Sequence, residues 1–310
     1  METAPKISGF AKFAWFTLAY NILVILWGVF LRASKSGDGC GQHWLTCHGE
    51  IIPSAPELKT IIEFSHRMTT GPAFALVIIL LIWAFRRFEK GSPGRKAAVA
   101  SFVFIVSEVL IGGVLVLTGN TAETLTFERP FLAIGHLINS FLLLASLTLT
   151  AWFAGGQRTL NFANRRKPLL LLALAAIAIL FVGTSGSVAA LSSMLFPSAT
   201  LTEGIARDFS AGSNILLKLR ISHPILSILT SIYLIFLAGW LSAWSGREEK
   251  VKRSSNILTI IVIAQVAFGS LTLLTLAPIV MQVGHLLLAD LLWISFVLLS
   301  ANFLSRPENP

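Results

Sequence analysis

Charge is what this chain has least of. Of its 310 residues only 13% are Asp, Glu, Lys or Arg, against 55% that are hydrophobic, and the mean hydropathy is +0.77. Such a shortage of charge excludes an ordinary soluble domain and points to a polytopic helical membrane protein. Cysteine is nearly absent as well: Cys40 and Cys47 are the only two, so at most one disulfide can form within the chain. No small-residue cleavage site follows the first apolar stretch, which therefore reads as an uncleaved span rather than a signal peptide. The net charge of +9 lacks interleaved aromatics and flanks apolar segments, so nucleic acid is not an expected partner.

What is present is a series of eight apolar runs, each near the ~20 residues that a bilayer requires. They cover residues 12–31, 60–85, 97–118, 130–154, 168–191, 215–240, 256–276 and 281–304. The basic residues gather in alternate loops: Arg86, Arg87, Lys90, Arg95 and Lys96; then Arg158, Arg165, Arg166 and Lys167; then Arg247, Lys250, Lys252 and Arg253. With Lys6, Lys12 and Arg306, 16 of the 24 basic residues fall on one side, which the positive-inside rule makes cytoplasmic. Both termini are then inside, and the loops 33–59, 119–129 and 192–214 are outside.

The chain also repeats itself. A shift of 157 residues carries His66 onto His223 and Gly112 onto Gly269, and Gly135-His136-Leu137 reappears as Gly284-His285-Leu286. Four of the six histidines thus lie in apolar segments as two matched pairs, each near the outer end of an even-numbered span. Ionisable groups at membrane depth are rare and usually functional. One histidine from each of two neighbouring helices makes a pair of axial ligands for a planar macrocycle, so the repeat predicts two bis-histidine sites with haem as the occupant. A zinc or copper centre would need three or four converging ligands. Gly112, Gly113 and Gly269, at mid-span, allow either close helix packing or a ring lying flat against backbone.

Other residues fall near these pairs. Cys40 and Cys47 share the first outer loop, where oxidising conditions favour a disulfide; a staple and a reducible, exposed pair are both consistent with their spacing. His43 and His48 lie in the same loop and read as surface residues. Glu63 precedes His66 by three residues, one turn nearer the outer surface, where a carboxylate can move protons or steady a cationic intermediate. The repeat places Arg220 at that position, so the halves are expected to share ligands and differ in chemistry. Glu108, opposite Gln265, is expected to bond across helices, and Asp290 to bond a neighbouring helix. Arg67, Arg129, Arg207, Lys218 and Arg220 lie near the outer ends, suited to anionic propionates.

Taken together, Gly37-Asp-Gly-Cys40, Trp44, Cys47-His-Gly49 and Ile52-Pro53, then Glu63-Phe-Ser-His66-Arg67, Gly135-His136-Leu137, Ser222-His223-Pro224 and Gly284-His285-Leu286 resemble the haem A synthases of the CtaA/Cox15 family, of the cysteine-containing bacterial type. The resemblance runs over essentially the whole chain. It implies two pseudo-symmetric four-helix bundles, residues 1–155 receiving haem O between His66 and His136 and residues 156–310 holding haem b between His223 and His285. The implied activity is oxidation of the C8 methyl of haem O to a formyl group by successive hydroxylations, giving haem A for terminal oxidases. Glu63 matches the family's essential glutamate, and Cys40 with Cys47 its first-loop pair, so all three are candidate catalytic residues. Expected partners are haem O, membrane lipid, haem O synthase (protohaem farnesyltransferase), an electron donor that the residues do not identify, and a second copy of the chain. The expected location is the cell membrane.

Two other classes compete. A bis-haem electron carrier would need haems on both membrane sides to conduct across, whereas all four ligands lie on the outer side. A repeat-built transporter with histidine proton relays would show broken helices at mid-membrane, which the sequence lacks.

Overall fold

The computed structural model describes residues 8–121, 123, 125–157 and 159–305; Lys6, Arg158 and Arg306 lie outside them. The described residues form helices and no named strand. In order these are α1 (Gly9–Ala33), α2 (Leu58–Arg87), α3 (Pro93–Leu117), α4 (Arg129–Ala154), α5 (Arg166–Leu195), α6 (Leu201–Phe209), α7 (Ile215–Arg220), α8 (Ser222–Trp244), α9 (Glu249–Leu274) and α10 (Ile279–Leu304). Eight spans are long and apolar enough to cross a membrane, with α7 and α8 together making the sixth, Ile215–Trp244. Their large exposed side chains, such as Phe16, Ile82, Phe181, Ile232 and Ile260, suit lipid rather than water.

Local chemistry explains most boundaries. Ser8 and Ser92 cap α1 and α3, their hydroxyls accepting from the amides of Ala11 (3.2 Å) and Arg95 (3.4 Å), and Pro93 occupies the first turn, where its missing N–H costs nothing. The sixth span departs from one continuous helix. It breaks at Ile221 because Pro224 has no N–H for the Arg220 carbonyl and its ring crowds that oxygen. The repeat puts Arg67 at the matching place in α2, which runs unbroken. The outer stretch 192–214, expected as loop, contains α6. Thr200 caps it, accepting from the Glu203 amide at 3.2 Å, while Glu203 accepts from the Ala199 amide at 2.9 Å. Nine residues of mixed polarity are too short for an apolar-run criterion to find.

In the first half, α1 packs on α2, α2 on α3, α3 on α4 and α4 back on α1, closing a ring. In the second, α5, α8, α9 and α10 follow one another as an arc, and both α5 and α10 lean on α4. Helices α4 and α10 are consequently the most buried of the spans. The Trp293 indole on α10 donates to the Phe141 carbonyl of α4 at 2.6 Å, and Trp152 on α4 donates to Asn302 at 2.9 Å. The apolar core is confined to one end of the bundle. It runs from Phe10 to Leu18 on α1, Val77 to Ala84 on α2, Phe141 to Ala151 on α4 and Leu292 to Leu304 on α10. The opposite end carries the histidines.

Candidate haem sites and the outer loops

Each histidine of the first pair position leans on the preceding span through a glycine. His66 on α2 packs against α1, where a Cβ on Gly28 would stand 3.0 Å from its Nε2. His223 on α8 repeats this against α5, where a Cβ on Gly186 would stand 2.9 Å from the ring and the Ser185 hydroxyl lies 3.2 Å from its Nδ1. Sequence reasoning missed these two glycines. The signal was available, since a shift of 158 carries Gly28 onto Gly186.

The second histidines differ between the halves. His285 packs against Gly269, whose Cβ would meet its ring at 2.7 Å, whereas Gly112, the matching residue, has nothing within 4 Å. Gly113 instead accommodates the Trp44 ring from the first outer loop. The His223 and His285 rings lie with centroids 6.2 Å apart and planes nearly perpendicular, at 86°. Two bonds of about 2 Å from ring nitrogens to a shared metal, plus the depth of each ring, span roughly that distance. His285 Nδ1 is buried without a hydrogen-bond partner among the described residues. His66 and His136 are close enough to influence each other electrostatically but make no comparable ring contact. Among the described residues no three His, Cys, Asp or Glu side chains gather as a metal site.

The first outer loop is pinned to α2 one turn before His66. Cys40 and Cys47 form a disulfide, and both are buried; the bridge is not the exposed one that the spacing allowed. The Cys40 amide donates to Glu63 Oε2 at 2.8 Å, and Arg67 donates to Glu63 Oε1 and, at 2.6 Å each, to the His43 and Thr46 carbonyls. The Thr60 hydroxyl and the His48 ring meet at the Gly39 carbonyl, at 2.6 and 2.8 Å; His48 is exposed, as expected, and also fastens the loop. Its neighbour His43 lies 6.5 Å away, ring to ring. Glu63 is therefore nearly enclosed and engaged through both oxygens.

The third outer loop is pinned in the same place with opposite polarity. Arg220, the counterpart of Glu63, holds Asp208 of α6 at 2.5 and 3.0 Å and the Gly204 carbonyl at 3.2 Å. Arg207 is taken by Glu203 and the Pro197 carbonyl, and Lys218 by the Ala211 carbonyl. Of the five cations expected to meet propionates, four are thus occupied by the protein. Arg129, at the start of α4, is buried with Arg32 as an electrostatic neighbour. Arg32, which sequence reasoning passed over, lines a crevice of about 200 Å³ with Lys35, Pro197, Pro278 and Gln282, between the outer ends of α1, α5 and α10. Lys35 is paired with Glu123 at 2.8 Å and holds that exposed carboxyl below the usual carboxylate range.

Glu108 bonds across helices as expected, accepting from Asn139 at 2.5 Å and from Ser140. Asp290 does not do so: it is buried on α10 with Oδ2 unpartnered among the described residues.

The family model described as cytochrome oxidase assembly protein, COX15-CtaA, matches residues 11–297. A Thermus thermophilus protein named protoheme IX farnesyltransferase is 41% identical over 302 residues, 97% of this chain and 50% of that protein. Proteins named heme A synthase match over shorter stretches. That of Halalkalibacterium halodurans is 36% identical over 113 residues, 36% of this chain and 38% of its own length. That of Alkalihalophilus pseudofirmus is 32% identical over 139 residues, 45% of each. The chain spans half the length or less of the curated relatives it matches.

Proposed function

Because the chain belongs to the COX15-CtaA family of cytochrome oxidase assembly proteins, we propose that it is a haem A synthase, oxidising the C8 methyl of haem O to a formyl group in successive steps. The observation that carries this reading is the 6.2 Å separation of the His223 and His285 rings at one end of a membrane bundle. In this reading that pair holds a resident haem b, and the wider pair, His66 and His136, receives haem O. A bound haem would supply the one-electron and oxygen chemistry that side chains lack. The protein's own part is to hold, enclose and move protons. His66 is seated against Gly28, and the disulfide-closed loop covers the end of α2 from which it projects. Glu63 serves as the proton-handling carboxylate on that side, with Arg67 fixing its orientation. Cys40 and Cys47 keep the lid in place, and any redox part for them requires the loop to open, since both are buried.

The unequal pairs favour one permanent cofactor and one exchanged substrate over two equivalent carrier haems. The clustering of cations on the core-packed end supports placing it, with both termini, on the cytoplasmic side of the cell membrane. A protohaem farnesyltransferase is the proposed partner. The Thermus protein that shares 97% of this chain carries that name and extends well beyond the match, and a farnesylated haem is the substrate this chain would consume. The test is haem extraction from protein purified with and without haem O supply. Haem b in both preparations and haem A only with haem O is the expected result. Haem b alone in both would make the protein an electron carrier, and no haem in either would overturn the reading.

A further inference from the structure

The two pairs differ in what stands behind the second histidine. Glu108 on α3 is fixed by two residues of α4, accepting through Oε2 from Asn139 at 2.5 Å and through Oε1 from the Ser140 hydroxyl. Asn139 is itself held on both ends, donating to the Phe104 carbonyl at 2.9 Å and accepting from Ser107 at 2.6 Å. Asn139 and Ser140 follow His136 by three and four residues, so they share its face of the helix. The carboxylate so placed has Oε2 3.5 Å from His136 Nδ1, and that nitrogen is buried without a hydrogen-bond partner.

None of this survives in the second half. Gln265 replaces Glu108, and its Oε1 and His285 Nδ1 are both buried and both unpartnered. The shift of 149 that carries His136 onto His285 puts Leu288 and Ala289 where Asn139 and Ser140 stand, and Ala264 takes the place of Ser107. A whole bracket is present in one copy and deleted in the other.

A metal-binding ring whose far nitrogen faces a carboxylate is oriented by it and becomes a stronger electron donor. We propose that Glu108 is a positioning residue that orients the His136 ring and places a negative charge behind it, so that the His66–His136 pair favours ferric iron more than the His223–His285 pair does. This rests on the reading that His66 and His136 hold a haem. Through it the same two-histidine plan yields two sites of different potential, with the lower at the substrate side.

The experiment uses full-length protein purified without haem O and titrated with protohaem as the probe, followed by haem stoichiometry, electron paramagnetic resonance and redox titration. The wild type is expected to take up a second haem that His136→Ala does not. Glu108→Gln should still bind it, with a preference for ferric iron about tenfold weaker, equivalent to ~59 mV for one electron, and an altered resonance spectrum. Gln265→Glu should shift the other haem in the opposite sense by a similar factor. Unchanged potential and spectrum in Glu108→Gln, with the second haem bound, would overturn the inference and leave the haem sites standing. Absence of a second haem in the wild type, or its retention in His136→Ala, would overturn the two-site reading itself. If Glu108→Gln does not fold, Gln265→Glu decides: an unmoved potential there refutes the role.

Discussion

Replacing Glu63 separates chemistry from anchorage. The carboxylate makes two contacts, to the Cys40 amide and to Arg67, and its side chain is only 5% exposed, that of Arg67 17%. Glu63→Gln keeps an oxygen for the Cys40 amide but removes the charge facing Arg67. A charge-assisted bond contributes about 1.5–3 kcal/mol, and Arg67 retains the His43 and Thr46 carbonyls, so the loss in stability should fall in that range. Glu63→Ala also strands a buried amide, adding about 1–3 kcal/mol. If the ionisable group is needed for proton handling, Glu63→Gln should keep normal haem b and a protected disulfide while haem A falls by roughly 10²-fold. Haem O or a hydroxylated intermediate should accumulate. The assays are chromatography of extracted haems and thermal unfolding in detergent. Normal haem A from Glu63→Gln would refute the chemical role. Loss of all haem from Gln and Ala alike would make Glu63 purely an anchor.

His223→Ala or His285→Ala should abolish the low-spin haem b spectrum, whereas His66→Ala or His136→Ala should keep it and lose haem A; difference spectra and haem extraction separate the two. Gly269→Ala places a Cβ 2.7 Å from the His285 ring and should empty that site, while Gly112→Ala, with open space around it, should leave haem b content unchanged. Asp208→Ala leaves Arg220 with the Gly204 carbonyl alone and should lower stability by about 2–3 kcal/mol, below the cost of a fully buried pair because the side chains are 17% and 11% exposed, read from thermal unfolding. Cys40 and Cys47 should resist thiol labelling until reduced, and reduction should be slow because both are buried; full labelling without reductant would contradict the bridge.

The spans were legible because continuous apolar runs of bilayer length need no tertiary context. The recurrence of the histidines was legible because duplication placed each of them twice. Helix α6 was not, being short and of mixed polarity, and the break at Ile221 required weighing Pro224 against an otherwise unbroken run. The fate of the outer cations was hidden for a different reason. Arg67 and Arg220 are positioned by their helices but claimed by distant loop groups, carbonyls in one case and Asp208 in the other, and a linear sequence does not show which loop folds back. Nor did it show that the histidine rings of one half meet and those of the other do not, since that depends on how α3 and α9 pack.

The opposed polarity of the two loop pins has a consequence for assembly. A chain made by duplication offers each emerging loop two look-alike berths, and a wrong choice would tangle the halves. Here each berth has its own key. The first loop presents an amide donor that suits the Glu63 carboxylate, and Arg220 would meet it donor against donor. The Asp208 loop presents an acid to which Arg220 donates, and Glu63 would repel it. Mispairing of like charges costs several kcal/mol, so a Glu63→Arg, Arg220→Glu double exchange should loosen both loops, setting donor against donor at Cys40 and acid against acid at Asp208.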